Sequence, residues 1–275
     1  MKYISKLFQI SFQKLGYTSE INDLNYKFQK ELPPNHFYFI YCLFSIEDLT
    51  ILPPKQYIIY QLEQHTNNKL NQYYQDFHKM ELKKLYENSF LCFDYCQENI
   101  HVIKKELHIE PKLLPIPFSN EKNYWNYYKK IPKLYDIVFI GLLNERRRSI
   151  LNYLKQYFRI GIPSKSIFGI DLLKFISKGK ILLNIHYYND AILERVRLNE
   201  MISFGIPMIS EKPNRNDLDI CQDYEGIVHF IDIIDSPSIH LVRSIKNYKE
   251  KYNIEKINIL EEKFNNTFNK YFNDL

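Results

Sequence analysis

The stretch at residues 184–211, NIHYYNDAILERVRLNEMISFGIPMISE, contains the pattern that decides the fold. It starts at the end of an apolar run, KILLNIHYY (180–188), which predicts a strand. The apolar spacing in 190–205 then predicts a helix, and Gly205 and Pro207 end it before a second strand at 206–211. A strand, a helix and a strand in succession form a β-α-β unit, in which the two strands lie parallel.

The same alternation continues on both sides of this unit. Towards the N-terminus we predict a strand at 135–143, a helix at 144–157, a strand at 165–170 and a helix at 171–179. A further strand at 226–233 and two helical segments follow towards the C-terminus. The first half repeats the pattern, with predicted helices at 4–15 and 68–89, strands at 36–44, 56–64 and 111–120, and a strand, turn and helix within 90–109. Such alternation is typical of the α/β class with mainly parallel sheets.

A polar and aromatic stretch at 121–135, which contains Pro132, separates the two halves. We therefore predict an N-terminal Rossmann-like domain at 1–125, a C-terminal Rossmann-like domain at 126–255, and a final helix at 256–275 that packs back on the first domain. Two such domains face a central cleft, and ligands of open parallel sheets bind beyond the carboxyl ends of the strands. The residues that follow the predicted strands are therefore the candidates for function.

Composition argues against several other classes of protein. The 45% hydrophobic and 25% charged fractions are ordinary for a globular protein, and the net charge of +5 is milder than in a dedicated nucleic-acid binder. None of the four cysteines forms a C-x-x-C pair, so we expect free thiols in a reducing compartment, the cytoplasm (the host cytoplasm for a viral protein), and no zinc site. No apolar run is long enough to span a membrane, and the first 17 residues predict an amphipathic helix instead of a secretory signal.

The stretch IVFIGLLNERRRSIL (137–151) predicts an anion-binding site. A strand leads through Gly141 into a helix that begins at Asn144, and the free N–H groups of such a junction attract anions. Arg146 and Arg147 lie in the first turn, where cations are unfavourable, which indicates a negative partner such as a diphosphate. The alternative is a solvated basic turn that Glu145 partly offsets. The G-x-G-x-x-G pattern is absent, so NAD is disfavoured.

Two further pairs of residues are candidates for chemistry. Arg197 and Glu200 share one helix face, where an arginine can bind phosphate and a carboxylate the ribose hydroxyls; a surface ion pair is the alternative. In the first half, Glu63 and Asp94 each follow a predicted strand and are candidates for a general base, with Glu63 the first choice. Helix capping by Asp94 and a hydrogen-bonding role for Glu63 are the alternatives.

Asp217 and Asp219 form a D-x-D pair, the arrangement with which some transferases hold a divalent metal ion. We favour a loop or helix-capping role for this pair and expect no metal site.

The segment EMISFGIPMISE (200–211) resembles the nucleotide-sugar signature E-x-[LM]-x-x-G-x-P-V-[IV]-[SA] of glycosyltransferases with the GT-B fold. The segments YIIYQLEQ, FDYCQENIHVIKK, FIGLLNERRRSIL, KILLNIHYY and LERVRLNE are similar to a group of bacterial and giant-virus-like glycosyltransferases related to the group 1 and spore-maturation types. Together these motifs extend over residues 56–211 in the expected order.

The resemblance implies a specific division of labour. The C-terminal domain would bind a UDP-, GDP- or TDP-sugar as substrate, and the N-terminal domain would bind a glycan or other hydroxyl acceptor, with no cofactor, no metal and no nucleic acid. Glu200 would hold the ribose, and Arg146 or Arg147 the diphosphate. The remaining contacts would come from residues by the base (Gly169, Ile170) and by the sugar or phosphate (His186, Tyr187).

The chain also departs from the family pattern. Many retaining members have a glutamate eight residues before the ribose-binding one, but Ile192 occupies that position here and Glu194 lies six before Glu200. The stereochemistry of transfer therefore stays open. Other functions left open are a GT-B-like sugar-nucleotide epimerase, a phosphorylase, and a basic, aromatic-rich nucleic-acid-binding protein.

Overall fold

A computed structural model describes residues 2–22, 26–41, 52–63, 76–119, 129–189, 191–213, 215–233, 239–248, 253–273 and 275. The chain forms two compact units. The first contains Gln9–Ile116 and Asn266–Leu275, and the second contains Met1–Phe8 and Pro117–Asn265. The linker predicted at 121–135 lies partly outside the described residues, and the predicted domain bounds stay a prediction.

The first unit contains a parallel sheet of four strands whose order, β1-β2-β3-β4, follows the chain. The strands are β1 (Tyr38–Ile40), β2 (Tyr57–Gln61), β3 (Leu91–Asp94) and β4 (Lys112–Leu113). The helices are α2 (Asp76–Asn88), α3 (Gln97–Leu107) and the end of α1 (Lys2–Lys14). All five residues of β2 are buried, as expected for a central strand covered on both faces.

Aromatic rings connect the two chain ends of the first unit. Phe12 of α1 contacts Phe268 and Phe272 near the end of the last helix, Ile254–Phe272, with ring centroids 4.9 and 5.1 Å apart. Phe39 and Phe93 of the sheet contact Phe272 in turn. The prediction that the C-terminal helix returns to the unit of the first sheet is thereby confirmed.

The second unit contains a parallel sheet of five strands in the order β6-β5-β7-β8-β9. The strands are β5 (Tyr135–Phe139), β6 (Ile160–Gly161), β7 (Gly179–Asn184), β8 (Met208–Glu211) and β9 (Val228–Ile231). The helices are α4 (Glu145–Leu154), α5 (Gly169–Ile176), α6 (Arg195–Ser203), α7 (Ile239–Lys246) and the first part of α8 (Ile254–Phe272), whose end belongs to the first unit, with a 3₁₀ helix at Arg215–Tyr224. The prediction of an α/β fold with two parallel sheets is confirmed.

The two faces of this second sheet are both covered because successive strand residues point to opposite sides. Val138, Leu182 and Met208 pack on one face against α5, α6 and α8. Ile137 and Leu183 pack on the other face against α4 and α7. Because apolar contacts cover both faces, the ends of the strands are the places where polar side chains can lie.

Two predicted elements of the second unit are wrong. The strand predicted at 165–170 does not exist; β6 lies at Ile160–Gly161, where a Cβ on Gly161 would come within 2.6 Å of the Tyr135 ring. Phe168, by contrast, is 70% exposed. The helix predicted from 190 begins at Arg195, because the backbone N–H of Leu193 donates to the carboxylate of Asp217 instead of entering a helix.

Candidate functional site

The strand order of the second sheet contains a topological switch point, the place at which open parallel sheets bind their ligands. The chain passes from β5 to β6 on one side, whereas β7 lies on the other side of β5. At such a switch point the two connections leave the carboxyl edge in opposite directions and open a crevice between them. The loops that begin at Ile140, after β5, and at Ile185, after β7, border this crevice.

Gly141 and Asn144 shape the loop between β5 and α4. The φ of Gly141 is +144°, which other residues rarely adopt, and a Cβ here would lie 3.1 Å from Nη1 of Arg147 and 3.4 Å from Nη2 of Arg197. Asn144 begins α4 by accepting a hydrogen bond from the N–H of Arg147 (2.9 Å), and its own amide donates to the carbonyl of Tyr187. Gly141 thus admits two guanidinium groups, and Asn144 ties the two loops together.

The Arg147 side chain is buried and holds neighbouring loops of the second unit together. It is 2% exposed, and each of its three side-chain nitrogens donates to the chain, at the carbonyls of Leu142 and Ile185 and the carboxylate of Glu194. Burial lowers the pKa of its guanidinium to about 10, and Glu194 acts in the opposite direction. The prediction that Arg147 contacts a diphosphate is untested, and its donors are engaged by neighbouring residues.

Arg146 ties the loop after β7 to the end of β8. Its Nη atoms bind both carboxylate oxygens of Glu211, and Nη1 also donates to the carbonyl of His186 (3.1 Å). Glu211 accepts a further hydrogen bond from the N–H of His186 (2.8 Å). Burial raises the pKa of the Glu211 carboxyl, although Arg146 counteracts it.

Arg197 presents an accessible guanidinium edge. Its Nη1 donates to Asn184 (2.8 Å) and to Glu194, while its side chain keeps 25% of its surface exposed. Its Nη2, on the side of Gly141, has no acceptor among the residues that the structure describes. Of the three arginines here, Arg197 therefore keeps an exposed edge, next to a glycine, at the switch point.

His186 is buried and uncharged. The residue is 1% exposed, and its Nε2 finds no hydrogen-bond partner within the described part of the chain. Burial, together with three neighbouring arginines and against the opposing effect of Glu194, lowers the pKa of its imidazole to about 4. The ring is therefore neutral at pH 7, with a polar atom whose hydrogen bond is unmade.

The charges of this cluster do not cancel. Three guanidinium groups form ion pairs with two carboxylates, Glu194 and Glu211, which leaves one positive charge within the ion-paired groups when both carboxylates are ionised; Glu200 interacts electrostatically with Arg197 but forms no ion pair with a described residue. A net positive, partly buried cluster attracts anions. We call the following residues the switch-point site: Gly141, Arg146, Arg147, His186, Glu194, Arg197 and Glu211.

The other predicted donor-binding residues lie at the same edge of the second sheet or in the helix beside it. Glu200 is partly buried in α6, one turn beyond Arg197; no hydrogen bond or ion pair joins its carboxylate to a described residue, and burial raises its pKa. Gly169, with a φ of +58°, starts α5 with open space where a Cβ would stand. Exposed Phe168 and Ile170 flank it.

Sequence reasoning assigned no binding or catalytic role to three residues of this region. Asn184 accepts from Arg197 and donates to Ser210, Glu194 joins Arg147 to Arg197, and Glu211 binds Arg146. A polar residue at the end of an otherwise apolar strand was the available signal for Asn184 and Glu211.

The two candidate bases of the first unit differ in exposure. Asp94 is fully buried and accepts hydrogen bonds from the N–H of Cys96 (2.8 Å) and the amide of Asn99 (3.2 Å); the N-cap residue of α3 is Cys96, so Asp94 holds the turn before the helix and is not its N-cap. Glu63 is exposed, and its backbone is held by Gln61 and Asn99. Both roles stay predictions.

Asp217 has a structural role. Besides accepting from Leu193, it forms an ion pair with Arg195, so it fixes the segment that precedes α6. Among the described residues, no group of three or more His, Cys, Asp or Glu side chains is placed to hold a metal ion. The helices of the described part of the chain include none that is both long and apolar enough to cross a membrane.

No family model matches this chain. Three proteins of Acanthamoeba polyphaga mimivirus are similar to it. Uncharacterized protein L140 is 28% identical over 200 residues, which cover 70% of this chain and 64% of that protein. Uncharacterized protein L137 is 26% identical over 260 residues (88% and 31%), and L138 is 24% identical over 234 residues (83% and 24%). The chain thus spans between 24% and 64% of the length of these relatives.

Two solved structures are partly similar to this one. Sucrose-phosphate synthase from Thermosynechococcus elongatus has a TM-score of 0.47 at 13% identity, over 79% of this chain and 64% of that one. WaaG, a glycosyltransferase involved in lipopolysaccharide biosynthesis, has a TM-score of 0.42 at 11% identity, over 77% of this chain and 70% of that one.

Proposed function

We propose that this chain is a glycosyltransferase that binds the diphosphate of a UDP-, GDP- or TDP-sugar at the switch-point site and transfers the sugar to the hydroxyl of a glycan or other acceptor. The observation that carries the proposal is the accessible edge of Arg197 beside Gly141, within a cluster of net charge +1. Anionic ligands of open parallel sheets bind at this place in the fold.

A diphosphate suits this geometry for two reasons. Gly141 lets the guanidinium groups of Arg147 and Arg197 lie close to the backbone, and Nη2 of Arg197 has no acceptor among the described residues, so it is available to a phosphate oxygen. Arg147 and Arg146 are already fixed by the chain, so the positive charge needs little reorganisation when a ligand binds.

The transfer then proceeds by attack of the acceptor hydroxyl on the anomeric carbon. The bond from that carbon to the diphosphate oxygen breaks, and its electron pair leaves with the nucleoside diphosphate, whose charge Arg197 and the cluster stabilise. The hydroxyl proton goes to a base, for which we propose exposed Glu63, with buried Asp94 supporting the Glu63 backbone through Asn99.

We assign the remaining contacts with the donor to residues at the same edge of the second sheet. We propose that Glu200 binds the ribose hydroxyls and that the apolar surface of Phe168 and Ile170 beside Gly169 receives the base. His186 supplies an uncharged hydrogen bond to the sugar or phosphate, and no metal ion is required.

Binding of nucleoside diphosphates to the purified chain tests this function. We expect UDP, GDP or TDP to raise the melting temperature, with a gain of about 2.7 kcal/mol in the free energy of unfolding at 100 times Kd. Arg197→Gln should abolish the gain, whereas Arg148→Gln, a change at an exposed arginine of α4, should keep it.

Two outcomes would reject the transferase. Indifference to every nucleoside diphosphate together with tight, salt-dependent binding of single-stranded DNA would favour the nucleic-acid-binding alternative. Conversion of a sugar nucleotide to its epimer without any acceptor would favour the epimerase.

A further inference from the structure

The carboxylate of Glu194 joins the two arginines that flank Gly141. Its Oε1 accepts from Nη2 of Arg147 (3.1 Å), and its Oε2 accepts from Nη1 of Arg197. We propose that Glu194 is a positioning residue that holds Nη2 of Arg197 at Gly141, ready for the diphosphate; this rests on the function proposed above.

Arg197 depends on Glu194 more than Arg147 does. Arg147 is anchored by two backbone carbonyls in addition to Glu194, whereas Arg197 has only the neutral Asn184 as its other anchor among the described residues. The two guanidinium groups also repel each other, because both come within 3.4 Å of the same point beside Gly141. A carboxylate that binds both removes this repulsion and fixes the orientation of Arg197.

The position of Glu194 is set by tertiary contacts. The residue directly precedes α6, and its neighbours on both sides are held by Asp217, through the N–H of Leu193 (2.8 Å) and the side chain of Arg195. Because of this anchoring, α6 begins only at Arg195, and the Glu194 side chain faces Arg147 and Arg197. Glu194 therefore acts through Arg197 and not directly on the sugar, although it lies close in sequence to the position of a retaining glutamate.

A double-mutant cycle between Glu194 and Arg197 tests this role. Kd for UDP, GDP and TDP is measured by calorimetry for Glu194→Gln, Arg197→Gln and the double variant, with Glu145→Gln, a change at an exposed carboxylate of α4, as the matched control. We expect each single variant to weaken binding about 10-fold and the double variant to be little weaker than Arg197→Gln alone. Fold losses that multiply, or a wild-type Kd in Glu194→Gln, would overturn the role.

Two further measurements keep the test decisive. Glu194→Asp retains the charge next to Arg147 but is too short to bind both arginines, so it should fold as the wild type does and still lose affinity. In ligand-free protein labelled with ¹⁵N-arginine, restricted rotation should give separate Nη signals for Arg197 that merge in Glu194→Asp. Nη signals that stay separate in Glu194→Asp would contradict positioning by Glu194, whether or not the protein binds nucleotides. Failure of the wild type to bind any nucleoside diphosphate would instead refute the proposed function.

Discussion

Replacing Gly141 by alanine should damage the switch-point site in two measurable ways. Alanine at a φ of +144° costs about 1–3 kcal/mol of stability from backbone strain. Its Cβ would also lie 3.1 Å from Nη1 of Arg147 and 3.4 Å from Nη2 of Arg197. Arg147 cannot withdraw, because three of its nitrogens are bound to the chain, so Arg197 must move away from the place where we locate the diphosphate.

Gly226→Ala is the matched control for this substitution. Gly226 has a φ of +78° and lies before the start of β9, at the opposite edge of the same sheet, and its Cβ would meet Asn253 at an ordinary distance of 3.5 Å. This variant should lose about 1–2 kcal/mol of stability from strain alone. Urea unfolding then measures the strain in both variants, and calorimetry with UDP, GDP and TDP measures binding.

We expect Gly141→Ala to weaken nucleoside diphosphate binding about 10-fold and Gly226→Ala to leave Kd unchanged. The reasoning fails if Gly141→Ala binds as tightly as the wild type, because the ligand then does not use the space beside Gly141. It fails equally if both variants lose the same affinity, since the loss would then reflect stability alone.

Three other substitutions separate the remaining assignments. His186 takes up a proton in the unfolded chain below pH 6.5 but in the folded chain only near pH 4, so the wild type should lose about 3 kcal/mol of stability as the pH falls through this range, and urea unfolding of His186→Gln should show no such loss. Glu63→Gln should slow sugar transfer at least about 100-fold without a change in melting temperature, whereas Asp94→Asn should cost about 1–3 kcal/mol of stability; the reverse pattern would exchange their roles. Phe168→Ser should change stability by less than about 0.5 kcal/mol and weaken nucleotide binding in calorimetry, and unchanged binding would remove Phe168 from the base site.

The sequence predicted the elements whose signals are local. Apolar runs gave the central strands, and Asn144 gave the start of α4, because an N-terminal capping residue acts on the next few backbone groups. The two wrong elements depend on distant partners instead. Gly161 packs under the Tyr135 ring, and Asp217 captures the N–H of Leu193, and neither contact leaves a trace in the local pattern.

The sequence predicted which residues lie together at the candidate site but not their contacts. The glycine, the helix start and the arginines in the first turn indicated an anion site, and the structure brings them together at the switch point. The burial of Arg147 could not be inferred, because it depends on Ile185 and Glu194 from another loop. The negative partner that the arginines required is supplied in part by Glu194 and Glu211.

The unbalanced positive charge of this network indicates a binding role for physical reasons. Burying three guanidinium groups and two carboxylates carries a desolvation cost that their mutual attraction often does not recover, so such a network is weak evidence for a role in stability. A network built for stability alone would also balance its charges and satisfy its polar atoms. This one leaves Nη2 of Arg197 accessible and Nε2 of His186 without a partner within the described residues, both at the edge of the sheet where its fold opens to a ligand. An anion bound at the switch-point site would balance the remaining charge and supply an acceptor for Nη2 of Arg197.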